Sequence, residues 1–245
     1  FRLANVNTLL GNEASTIELY EKIVAHYPGH HLVLNNLAWM YLTAQNRQLR
    51  NLEKGMDYLK RTLDINKELD DKISMGWTIA HIGSNYFDQG NNDKALDFQL
   101  QSLEIINNLG DNLSLSSSYL NLAKVYFSIR QYEKAVKYVT KTLALQNKLN
   151  DKNQKLDAQI YRSLSLKYLD KKFDIKHIKK IIKGAKITGV RANYYLYQLL
   201  GDTSYLKIAY DQIQKKADNL EPDIKAKLLS YPIPKTIVEE WEKVK

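Results

Sequence analysis

The chain of 245 residues contains no cysteine. That excludes disulfides, thiol catalysis and cysteine-bound zinc, and it fits a reducing compartment, the cytoplasm. Proline and glycine are scarce, at 4 and 10 residues, as suits a mostly helical chain, because both are costly inside helices. No run approaches the roughly eighteen consecutive apolar residues of a transmembrane segment. No stretch reads as a signal peptide. Gly-rich phosphate loops, nucleophile elbows and paired-carboxylate motifs are also missing. The sequence therefore carries no catalytic signature, and neither enzyme activity nor a cofactor is expected of it. His26, His30 and His31 come nearest to a metal site, but Pro28 and Gly29 interrupt the helix between them and no nearby carboxylate completes a set. No metal is expected.

What is present is a repeat. Leu69-Asp70-Asp71, Leu109-Gly110-Asp111 and Leu149-Asn150-Asp151 lie forty residues apart. The middle residue is Asp, Gly or Asn, types that tolerate the left-handed conformation ending a helix, and the following Asp can cap the next helix. Each triplet thus predicts a helix-to-helix joint. Gly83 and Ala123, Tyr86 and Tyr126, Ala95 and Ala135, and Leu63, Leu103 and Leu143 recur at the same interval. Within one unit Ile79, Ile82 and Tyr86, then Ala95, Leu96, Leu100 and Leu103, follow helical spacing on either side of the turn Gln89 to Asn92. Each unit reads as a helical hairpin, and stacked hairpins form a solenoid with a long curved surface suited to binding other proteins.

These segments resemble the tetratricopeptide repeat (TPR), in its longer variety found in kinesin light chains and bacterial multidomain regulators. Asn121 to Tyr126 with Tyr132 to Val136, and Ile82 to Phe87 with Asp93 to Leu96, carry the likeness. The pattern appears again at Asn36 to Tyr41, with the turn at Gln45 to Leu52 enlarged by five residues before Gly55. Tyr20, Ile23 and Pro28 resemble the second helix of an ordinary repeat, preceded by Leu3 and Ala4 in a truncated first helix. The resemblance implies an all-α fold, a right-handed α-solenoid of stacked antiparallel hairpins with an irregular helical C-terminal cap. The expected organisation is TPR-like repeats over 1–188, in units of about 1–30, 31–70, 71–110, 111–150 and a degenerate 151–188. Residues 189–245 then form a worn hairpin (Tyr195, Leu196, Leu199, Leu200, Gly201, Asp202, Tyr205, Leu206, Ala209) and two short helices broken by Pro232 and Pro234. Because Phe1 opens inside an apolar pattern without an initiator Met, the chain is read as a fragment of a larger protein.

In this family the first helices line the concave groove. The resemblance therefore implies that Asn36, His81 and Asn121 project into it, where an Asn, His, Asn row could hold a partner's backbone. By the same carry-over Asn35, Trp39, Trp77, Ser84, Phe87, Leu120, Lys124 and Phe127 line the groove. This lining is aromatic and apolar, with Lys124 its one charge, so a hydrophobic or amphipathic peptide suits it better than a pair of terminal carboxylates. Trp39 and Trp77 are the expected anchors. The leading expectation is a protein- or peptide-binding scaffold, the regulatory or interaction module of a signalling protein of bacterial type.

Two other readings stand beside it. Net charge is +9, but residues 1–150 carry 16 basic against 15 acidic residues while 151–245 carry 20 against 12. Lys172, Lys176, Lys179, Lys180 and Lys183 form a basic stripe opposite Ile175, Ile178, Ile181 and Ile182. It would serve an anion-binding module on a membrane surface or nucleic acid. Nucleic acid is the weaker candidate, because arginine is scarce in the stripe and no nucleic-acid motif accompanies it. The third reading makes this stretch part of a signalling enzyme whose catalytic domain lies upstream.

Overall fold

A computed structural model describes residues 13–43, 52–149, 155–183, 189–218 and 220–245. Every regular element among them is an α-helix: α1 (Glu13–His26), α2 (His31–Thr43), α3 (Leu52–Glu68), α4 (Lys72–Asp88), α5 (Asn92–Leu109), α6 (Asn112–Ser128), α7 (Tyr132–Leu149), α8 (Lys155–Tyr168), α9 (Ile175–Lys183), α10 (Val190–Leu200), α11 (Thr203–Ala217), α12 (Pro222–Ser230) and α13 (Pro232–Val244). The pairs α2/α3, α4/α5 and α6/α7 form hairpins, and each second helix packs on the first helix of the next unit. The truncated helix read around Leu3, the enlarged turn after Gln45 and the third triplet at Asn150 and Asp151 lie outside the described residues.

Helix ends set this arrangement. Asp70 (φ 50) and Gly110 (φ 70) are left-handed, as the triplets predict. Asp71 accepts from the Ser74 N–H at 3.0 Å, and Asp111 accepts from the Leu113 and Ser114 N–H groups at 3.1 and 3.3 Å. The structure adds a second series halfway between: Gly90 (φ 81), Arg130 (φ 61) and Asp170 (φ 52) are left-handed too. At Asp70, Gly90, Arg130 and Asp170 the chain leaves the helix through the same pair of bonds. The left-handed residue bonds back three residues and its successor bonds back five, as in Asp70 to Lys67 and Asp71 to Asn66.

Small residues then bring the two helices of a hairpin together. A Cβ on Gly83 would stand 2.9 Å from Gln99 Nε2 and 3.1 Å from Phe98 Cβ. Ala95, Ala123 and Ala135 are fully buried at related positions. A side-chain bond also repeats: the Ser102 hydroxyl donates to the Gly76 carbonyl at 2.8 Å, and forty residues on Thr142 donates to the Ser116 carbonyl at 3.4 Å.

Beyond Tyr168 the regularity fails. α9 touches the stack mainly through α8, with Ile178 buried and Ile182 against the core, while α10 packs directly on α8. α10 and α11 form a hairpin joined by Gly201 (φ 72) and capped by Asp202, which accepts from the Ser204 N–H at 2.9 Å. Pro222 and Pro232 start α12 and α13 rather than interrupting them, since proline fits a first helical turn. The C-terminal segment also folds back to the middle of the chain. Arg191 pairs with Asp88 at 2.9 Å, and Pro232 covers Gly90.

Two consequences are measurable. Gly90→Ala faces both the left-handed backbone cost, about 1–2 kcal/mol, and the rigid Pro232 ring, whose Cγ would lie 2.5 Å from the new Cβ. Gly110→Ala faces the backbone cost alone, with nothing within 4 Å of its Cβ. Urea unfolding should therefore rank Gly90→Ala as clearly the more destabilised; equal losses would show that the Pro232 contact does not matter. Hydrogen bonds from Ser74 and Ser114 hold the Asp71 and Asp111 carboxyls below their ordinary value of 3.8. Their contribution is complete above that value and is lost as pH falls below it. Asp111→Ala should cost about 1 kcal/mol at neutral pH and progressively less below pH 3.8, read from urea midpoints across the pH range.

Candidate functional site

The first helices of the hairpins form one layer. α4 touches α6, α6 touches α8, and α8 touches α10, while the Trp39 ring on α2 lies 5.6 Å from His81 on α4. Helices that meet across two units lie on the inside of a curve, so this layer is the inner face.

The inner face has two unlike halves. In the N-terminal half Trp39 and Trp77 are 52% and 46% exposed. Trp77 is steadied by its indole N–H, which donates to Ser114 Oγ at 2.8 Å. His81 is half-buried beside Trp39, its Nδ1 has no hydrogen-bond partner, and burial pushes its pKa below the usual 6.5, which favours the neutral ring. Asn35 Oδ1 is likewise shut from solvent without a donor.

The expected polar row is only partly assembled. Asn36 turns back to the preceding helix and donates to the Tyr20 hydroxyl at 3.3 Å. Ser84 is occupied within its own hairpin, accepting from Gln99 Nε2 at 3.1 Å. Asn121 is half-buried on α6.

In the C-terminal half the chain fills its own hollow. Leu120 is 2% exposed and belongs to the core. Lys124 pairs with Asp157 on α8 at 3.3 Å, so its charge is neutralised. Phe127 is buried between Tyr161 and Tyr195, with both ring centroids at 5.3 Å. Phe87 is covered by Arg191, whose Cζ lies 4.4 Å from the ring centre. The sequence assigns Arg191 and Tyr161 no site role and marks Tyr195 only as part of the worn hairpin; the density of tyrosine around 161–197 is the available signal.

The basic stripe keeps all five lysines exposed: Lys172, Lys176, Lys179, Lys180 and Lys183. Its apolar side is turned inward through Ile178, 1% exposed, while Ile175 at the helix start stays 40% exposed beside the lysines. His26 Nδ1 is bound within its own helix, 2.8 Å from the Lys22 carbonyl. Among the described residues no three His, Cys, Asp or Glu side chains gather as a metal site, and no helix is long and apolar enough to cross a membrane.

The sequence of residues 74–148 matches the tetratricopeptide repeat family model. No curated protein matches the sequence significantly. Among solved structures, RapI in its apo form is similar over 100% of this chain and 97% of its own, with a TM-score of 0.68 at 15% identity. The nearly identical TPR-like repeats of a candidate kinesin light chain from Podosopora anserina cover 82% of this chain and 94% of theirs, with a TM-score of 0.55 and 15% identity. A signal transduction ATPase with numerous domains from Pyrococcus horikoshii, which has a tetratricopeptide repeat sensor, matches 89% of this chain with 32% of its own length, at a TM-score of 0.55 and 19% identity. Residues 74–148 thus carry the tetratricopeptide repeat signature, and the chain around them has the fold of a TPR-like α-solenoid.

Proposed function

We propose that the chain binds a protein or peptide along the open, N-terminal half of its inner face, and does so as the regulatory or scaffolding module of a larger cytoplasmic signalling protein. The observation that supports this most is the half-exposure of Trp39 and Trp77 on neighbouring inner helices. Large aromatics on a rigid surface dominate interface energies. Both are already held, by His81 and by Ser114, so little side-chain freedom is lost on binding.

The partner best suited to this surface offers apolar anchors and a backbone segment beside them. Of the row Asn36, His81 and Asn121, this proposal keeps His81 and Asn121 to bond that backbone, since Asn36 is occupied by Tyr20. We further propose that the repeats occupy 1–188 and that 189–245 form a separate capping unit which also fills the second half of the hollow. The signalling role draws its support from the Pyrococcus ATPase, where the matched repeats are a minor part of a longer chain. The reading assigns no catalysis to this stretch.

Selection of displayed twelve-residue peptides against the chain provides the test. Selected peptides should bind the chain and lose at least about 1 kcal/mol of affinity on Trp39→Ala or Trp77→Ala, with thermal melting unchanged. Peptides that bind both variants as well as the parent would reject these anchors.

A further inference from the structure

The filled half of the inner face leaves an open-mouthed cleft-like chamber of about 670 Å³ that the proposed peptide surface does not use. Its walls come from the middle of the chain and from its C-terminal segment: Phe87, Phe127 and Tyr168 from α4, α6 and α8, and Tyr195, Pro232 and Ile233 from α10 and α13. Two arginines, Arg130 and Arg191, line it against one carboxylate, Asp88.

Most polar groups around the chamber have partners. Gln198 donates to the Tyr194 hydroxyl at 2.7 Å, and that hydroxyl donates to Glu240 at 2.8 Å. Arg191 is the exception. Its Nη2 donates to Asp88 at 2.9 Å and its plane covers Phe87, but Nε is shut from solvent with no acceptor. A guanidinium presents five donors in a planar fork that matches carboxylate and phosphate oxygens. Nε itself lies out of a ligand's reach; what favours an anion is the lining, where two guanidinium groups stand against one carboxylate. The rings at Phe127, Tyr132 and Tyr168 supply faces for a flat apolar body; Tyr132 and Tyr168 are themselves stacked at 5.0 Å. A volume of 670 Å³ lies within the range of small-molecule sites.

We propose that this chamber binds a small aromatic anion, a flat ring carrying a carboxylate or phosphate, with the anionic group on Arg191 and Arg130 and the ring against Phe127 and Tyr168. Such a ligand would touch the repeats and the C-terminal segment together. Its binding would hold α10 and α13 against α4, α6 and α8, and so stabilise the closed hollow by mass action.

Calorimetry and thermal melting on the full chain test this with phenylacetate, indoleacetate, phenyl phosphate and adenosine monophosphate. Benzyl alcohol and benzylamine serve as the neutral and cationic controls. At least one anion should bind with a dissociation constant of about 1 mM or tighter and raise the melting temperature, while neither control binds. Carboxylates binding alone, or phosphates alone, would identify the anionic group.

Arg191→Lys and Arg130→Gln should each weaken binding at least about fivefold. Arg130 is exposed on its turn, so its variant reports even where Arg191→Lys disturbs folding. Trp39→Ala with Trp77→Ala should leave anion binding unchanged, which separates this site from the peptide surface. The proposal is overturned if no anion binds up to about 10 mM, if benzyl alcohol binds equally well, or if Arg130→Gln leaves affinity unaltered.

Discussion

The structure depends on chain reversal at regular intervals. A helix can stop only where its last carbonyls find other donors, and a left-handed residue followed by a cap meets that need locally. Here such residues stand at 70, 90, 110, 130 and 170, multiples of twenty apart. Equal intervals make helices of equal length, and equal helices place corresponding residues opposite one another in every hairpin. The close approach at Gly83, the buried alanines and the repeated hydroxyl-to-carbonyl bonds all follow from that register. Where the interval breaks, after α8, α9 is left loosely attached and α10 takes the position on α8 that a regular second helix would not reach.

That break produces the asymmetry of the inner face. Three regular hairpins leave Trp39 and Trp77 open, whereas the shortened C-terminal elements turn into the hollow and pack Tyr195 against Phe127 and Tyr161. An open surface bearing two tryptophans and a ring-lined chamber thus arise side by side from one stack. The ion pair between Asp88 and Arg191, 103 residues apart, marks where the chain closes on itself. Its carboxylate is largely exposed and its guanidinium mostly covered, so the arginine is positioned by packing on Phe87 as much as by charge.

Charge also divides by location. The basic excess of residues 151–245 is most concentrated in a helix whose lysines all face outward. Exposed charges of this kind are individually weak and screened by salt. Arg191, by contrast, is mostly covered, lying on Phe87 and paired with Asp88, where the same interaction is screened less.

The reversals, the hairpins and the family likeness were legible in the sequence because they are local. Asp70, Gly110, Asp71 and Asp111 act on residues within five positions of themselves, and their chemistry can be read without knowing what lies elsewhere. The inner tryptophans were legible for a related reason, since a repeat carries its orientation with it. The fates of Asn36, Leu120, Lys124 and Phe127 were decided only by tertiary structure, because Tyr20, the core, Asp157 and Tyr195 come from other helices. So was the chamber at Arg191. It requires α4 and α10 to meet across 103 residues, and how far a solenoid curves is the sum of small packing angles that no single repeat specifies.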